Sequence, residues 1–274
     1  MNALASRSSS LSLVVAAAGL AVVCAGAFAN TGLDRAKQRG KLVAGIHYVV
    51  PEYKGGMKFR TPEAPDTALL NDVAKRLQLP LETIRSEPGK QVSMLAAGRA
   101  DIALAMVPES RSQNRTVEIV PTGYSSGPMA IMRTDTDIKA WEHLKGRKVC
   151  VAEGGVYVGT LAAKYGAIEL VYRAPADALI AVRIGECDAT VHDSAMLEEL
   201  IRYPEWKKFS ARLPVGPRTT LAFVVPAADG KSAAFLKQVV KDWTTSGHMD
   251  KLVKTAVRNI AFEVYLDQAV PDCH

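Results

Sequence analysis

The stretches Leu95-Ala-Ala-Gly98-Arg-Ala-Asp101-Ile-Ala-Leu104 and Val182-Arg-Ile-Gly185-Glu-Cys-Asp188-Ala-Thr-Val191 are two versions of one phrase. In each, a helical run stops on a glycine able to take the left-handed C-cap conformation, and an aspartate then opens a short uncharged strand. Each copy follows a strand that passes from basic to apolar residues into a turn, Lys41 to Pro51 in the first case and Arg147 to Gly155 in the second. Two such α/β units predict two lobes facing each other. Open α/β sheets bind ligands beyond the carboxyl ends of their strands, so function is sought in the cleft.

Outward from these phrases, strand and helix patterns alternate. Strands are predicted at Lys41 to Val49, Leu81 to Arg85, Ile102 to Val107, Val149 to Ala152, Glu169 to Tyr172, Ala189 to His192 and Leu221 to Val225, with an apolar stretch at Met129 to Met132. Helices are predicted at Asp66 to Leu77, Val92 to Ala97, Val158 to Tyr165, Ala176 to Ile184, Ser232 to Ser246 and His248 to Val257, the last two separated by Gly247. The segment Pro121 to Pro128 reads as turn-rich.

Residues 1–29 read as a signal peptide. Arg7 and the α-amino group give a positive start, Leu11 to Val23 is an apolar core too short to span a membrane, and Ala27-Phe28-Ala29 offers small residues at the cleavage site. Cleavage is expected before Asn30, giving a soluble, exported mature chain located in the periplasm. Cys24 as a lipoprotein cysteine is the lesser alternative, since Val23 stands where that signal needs a small residue. The net charge is +6, but the basic residues are dispersed and not interleaved with stacking aromatics, so no nucleic-acid partner is expected.

Cys150, Cys187 and Cys273 remain after cleavage. Export permits a disulfide, and an odd number leaves one thiol over. Cys150 lies in one predicted strand and Cys187 just before another, so their bridge is the preferred pairing; Cys187 with Cys273 is the alternative. The five histidines show no metal-ligand spacing with these cysteines.

The ordered motifs carry a resemblance. Gly40-Lys-Leu-Val-Ala-Gly45, Asp66 with Asp72-Val-Ala-Lys-Arg-Leu77, the first phrase, Tyr124-Ser-Ser-Gly127, Leu144-Lys-Gly-Arg-Lys-Val149, Gly185-x-x-Asp188-Ala with Asp193, and Ser246-Gly-His-x-x-Lys251 together resemble the periplasmic solute-binding proteins of polar amino acid ABC transporters. The resemblance runs over essentially the whole mature chain. It implies an α/β, two-lobed periplasmic binding protein fold of type II, with a ligand cleft between the lobes. Two crossing hinge strands near Gly123 to Pro128 and Gly216 to Phe223 would join residues 30–125 and 224–274 as lobe 1 to residues 126–223 as lobe 2. It further implies a monomer that closes on a small-molecule ligand and delivers it to an ABC transporter membrane permease, with no cofactor.

Binding a free amino acid needs a cation for its carboxylate and acceptors for its ammonium, because an unpaired charge in a closed cleft is costly. The family's carboxylate-binding arginine aligns with Gln113 here, flanked by Arg111 and Arg115 as candidates. Asp193 keeps the family pattern as ammonium acceptor. His47, Tyr53, Met106, Gly155 and Tyr157 are further candidate ligand-binding residues, although His47 and Met106 replace the residue types usual there. Gly155 and its neighbours offer backbone amides at a predicted helix start. Two rival readings remain open: a cyclohexadienyl dehydratase-like enzyme using Glu153 or His47 as acid, and a periplasmic accessory or sensor protein that has lost amino acid binding.

Overall fold

The computed structural model describes residues 31–52, 54, 58–62, 65–108 and 116–267. Two five-stranded mixed sheets form its frame. The first runs in the order β2 (Leu81–Arg85), β1 (Leu42–Ile46), β3 (Ile102–Pro108), β10 (Thr219–Pro226), β4 (Val117–Ser126). The second runs β7 (Ile168–Tyr172), β6 (Lys148–Ala152), β8 (Ala189–Asp193), β5 (Pro128–Met132), β9 (Ala211–Arg212). In each, the first three strands are parallel and the fourth is antiparallel to its neighbours. The sheets therefore share one plan, as the repeated phrase predicts. All residues of β1 and β8 are buried, as expected of parallel strands covered by helices on both faces.

The chain crosses twice between the sheets. It leaves β4 at Ser126, enters β5 at Pro128, and returns between β9 and β10. The crossings touch: the Gly216 N–H donates to the Pro128 carbonyl at 2.9 Å. A Cβ on Gly127 would lie 2.6 Å from the Gly216 carbonyl oxygen, so only glycine admits this approach.

Helices α1 (Gly32–Arg39), α2 (Pro65–Leu77), α3 (Gln91–Ala96) and α7 (Gly230–Ser246) cover the first sheet. Helices α4 (Thr160–Tyr165), α5 (Pro175–Arg183) and α6 (Ser194–Leu200) cover the second. Three features differ from the sequence reading. Residues 121–126, read as turn-rich, form the second half of strand β4 instead; β4 is an edge strand, where proline is tolerated, and its pairing with β10 is irregular between Thr220 and Ala222. The expected boundary at 223/224 falls inside β10, which pairs with the first sheet from Thr219 onward. The final helix α8 (His248–Asp267) runs ten residues beyond Val257 and packs on α5 and α6 of the second lobe. Its Val257, Ile260, Ala261 and Val264 share a core with Leu179, Leu197 and Trp206 there. At its other end, Met249, Leu252 and Val253 of α8 pack against the first-lobe core, so the helix touches both lobes.

The bridge joins Cys150 to Cys187. Cys273 lies outside the described residues. No helix among the described residues is long and apolar enough to cross a membrane.

Candidate functional site

β8 ends on Asp193, which is 7% exposed where the two lobes meet. The chain turns directly into α6, yet the Asp193 carboxylate makes no helix-capping bond and points elsewhere. Its Oδ2 accepts from the Tyr124 hydroxyl at 2.5 Å and its Oδ1 from the Tyr157 hydroxyl at 2.6 Å. Tyr124 belongs to β4 of the first sheet, and Tyr157 to the connection between β6 and α4 of the second lobe. The turn is held in place by the crossing strand: Ser194 N–H donates to the Gly127 carbonyl at 2.9 Å, and Ala195 N–H donates to Ser126 Oγ at 3.2 Å. An ionised carboxylate has about four acceptor positions, so the two tyrosines leave Asp193 able to accept further donors.

A narrow pocket of about 50 Å³ adjoins this carboxylate, lined by His47, Tyr48, Met106, Tyr124, Gly154 and Val156 among others. His47 follows β1 and is half-buried. Burial, and secondarily the charge of Arg85, lower its pKa below the usual imidazole value, so it is neutral at neutral pH. A second cavity, of about 580 Å³, lies between α2, α6 and α8 and shares Pro65, Tyr124 and Asp193 with the first.

Thr61, which borders the larger cavity, belongs to a clamp between the lobes. Arg60, from the long connection between β1 and α2, is 10% exposed; its Nε donates to Asp177 of α5 at 2.6 Å, and its guanidinium also pairs with Asp267 of α8. Beside it, the Thr61 N–H and hydroxyl both donate to Glu263 of α8, at 2.9 and 2.6 Å. A first-lobe connection is thus tied to the second lobe by nearly buried charge pairs, whose rupture leaves charges without partners.

No protein-family model matches the chain, and no curated protein matches it in sequence. Solved structures do match. A mutant of ArgBP from T. maritima is 21% identical, with a TM-score of 0.55 over 83% of this chain and 100% of that one. An ancestral cationic amino acid solute-binding protein is 19% identical, with a TM-score of 0.57 over 83% of this chain and 100% of its own. The cysteine-binding protein of Campylobacter jejuni is 19% identical, with a TM-score of 0.55 over 84% of this chain and 94% of its own. The fold is that of the two-lobed periplasmic binding proteins.

On this binding-protein fold, the structure brings together His47, Met106, Tyr157 and Asp193 of the residues singled out from sequence. Tyr53, Arg111 and Arg115 lie outside the described residues. Gly155 is buried and its N–H is bonded within its own turn, to the Ala152 carbonyl at 2.9 Å, while Gly154 and Val156 border the pocket instead. Tyr124 was legible only as part of the crossing motif; its chemistry depends on a partner 69 residues away. The α8 wall and the Arg60 clamp carried no sequence signal, since an amphipathic helix or a loop arginine reads the same whatever it packs against.

Proposed function

We propose that this chain is a solute-binding protein that captures a small amine-bearing solute, an amino acid or related zwitterion, between its lobes and delivers it to the membrane permease of an ABC transporter. The observation that supports this most is Asp193, a buried carboxylate at the carboxyl end of a strand, approached by one hydroxyl from each lobe and retaining acceptor positions for an ammonium. Arg111 or Arg115 supplies the guanidinium for the solute's carboxylate, where a bidentate fork favours an anion over a neutral group. The ligands named for similar structures, arginine and cationic amino acids among them, carry the same ammonium. Closure brings the lobes together about the paired crossings at Gly127 and Gly216, and the Arg60 clamp holds the closed state. Export through residues 1–29 and action as a monomer complete the reading.

Calorimetry with a panel of amino acids tests it. A binder should lose roughly 2 to 5 kcal/mol in Asp193→Ala, because the variant leaves a buried ammonium without its charged partner. Unchanged affinity removes the amine from the reading and favours an anionic or neutral solute; absence of any ligand favours the accessory or sensor role.

A dehydratase-like activity has one observation in its favour, since the ancestral neighbour is also described as a precursor of cyclohexadienyl dehydratase. Against it, Glu153 is exposed and does not border the narrow pocket, and His47 is neutral and so a poor proton donor. Prephenate turnover by the purified protein would reverse that judgement.

A further inference from the structure

The narrow pocket beside Asp193, at about 50 Å³, is scarcely larger than the share of one or two water molecules. The adjoining cavity, at about 580 Å³, falls within the range of sites that enclose small organic ligands. Both are bounded by Asp193. We propose that the solute is an amine with an apolar body, held through its ammonium at Asp193 and placing its apolar part in the larger cavity walled by α8; this rests on the assignment of Asp193 to the ammonium.

The walls match such a body. Val50, Met196, Val253, Ala256 and Ile260 present apolar surface from both lobes and from α8, so filling the cavity removes that surface from water together with the ligand's own. The cavity carries one carboxylate, Asp193, and one ammonium, Lys251, whose Nζ already donates to the Ser246 carbonyl at 2.8 Å. The unmatched charge preference at the Asp193 end is therefore for a cation. On this assignment α8 is both part of the second-lobe core and a wall of the binding site.

Isothermal calorimetry of the full chain with a series from methylamine to n-hexylamine reads this directly. Burial of each added methylene should tighten binding about fourfold. Ala256→Trp, which fills the cavity from α8, should abolish that dependence on chain length, and Ala68→Leu, from the α2 side, should reduce it; thermal melts establish that each variant is folded. Asp193→Asn should weaken every member of the series. A flat series in the unaltered protein, with methylamine still bound and sensitive to Asp193→Asn, overturns this inference while leaving the Asp193 assignment standing. A rising series that ignores Asp193→Asn shows an apolar site without an amine anchor and overturns both. A rising series unaffected by either cavity variant puts the apolar part elsewhere and overturns the inference, as does the failure of every alkylamine to bind.

Discussion

In the first lobe, Asp101 opens β3 fully buried; in the second, Asp188 precedes β8 with its side chain 38% exposed. Both make the same exchange with the neighbouring strand. The Asp101 N–H donates to the Val43 carbonyl at 2.8 Å while its Oδ2 accepts from Val43 N–H at 2.9 Å; Asp188 does the same with Lys148, at 2.9 Å each way. The preceding glycines, Gly98 and Gly185, both take left-handed conformations, with φ of 65° and 80°. The reinforcement differs. Asp101 also receives the Arg39 guanidinium, whereas the second junction is stitched by the Cys150–Cys187 bridge and has only a loose pair, Arg147 to Asp188 at 3.7 Å. Where the second copy has Cys150 and Ala181, the first has Gly45 and Met94, and a Cβ at Gly45 would lie 2.7 Å from the Met94 sulfur. The phrase encodes the backbone exchange; an ion pair or a covalent bond can then secure it.

The largest effect should follow removal of the buried carboxylate. Asp101→Ala strands the Val43 N–H and the Arg39 guanidinium, a change of the kind that costs about 3 to 5 kcal/mol. Urea denaturation measures it. A loss under about 1 kcal/mol would mean that water replaces the carboxylate and that the ion pair adds nothing to the exchange.

The bridge comes next. It closes a sequence separation of 37 residues, for which chain entropy gives about 4 kcal/mol, less any strain. A paired Cys150→Ala and Cys187→Ala variant, or a reductant, should therefore speed hydrogen exchange in β6 and β8 and leave β1 and β3 unchanged. Equal loosening of both sheets would break the comparison, because the two junctions would then be coupled through the crossings.

These junctions were legible because they rest on local signals, a left-handed glycine and an uncharged run. The parallel strands were legible for the same reason. β4 was hidden by Pro121 and Gly123, which read as turn residues unless the strand is known to lie at an edge. The seat of α8 was hidden because an apolar stripe does not name the surface that receives it. At the site, Asp193 and Tyr157 were named from motif position, but the hydroxyl of Tyr124 and the clamp of Arg60 are tertiary contacts between segments far apart in the chain.

Asp188→Ala sharpens the comparison from the other side. Its carboxylate is partly solvated and water can reach the Lys148 N–H, so the loss should be about 1 kcal/mol, that of an ordinary hydrogen bond. With the bridge removed as well, the cost should exceed the sum of the two separate losses, since each then holds the junction alone. A strictly additive result would show that bridge and carboxylate act on different steps of unfolding.

The smallest effect concerns the residue after each glycine. In the second copy it is Glu186, whose carboxylate acts on the Tyr172 side chain on β7; burial first, and that carboxylate second, push the Tyr172 pKa up to about 12. In the first copy the corresponding residue is Arg99. An unfolded tyrosine ionises near pH 10, so between about pH 10 and 12 the unfolded chain gives up a proton that the folded chain keeps. Fewer protons bound in the unfolded state means that stability falls as pH rises through that window. Glu186→Gln removes the charge but not the burial, so the Tyr172 pKa should fall only part of the way toward the ordinary value, and the alkaline loss of stability should shrink accordingly. Phenolate absorbance, with Tyr172→Phe subtracted, follows the titration. A midpoint unmoved in Glu186→Gln would assign the whole displacement to burial and leave the phrase's glutamate with no part in holding the second lobe.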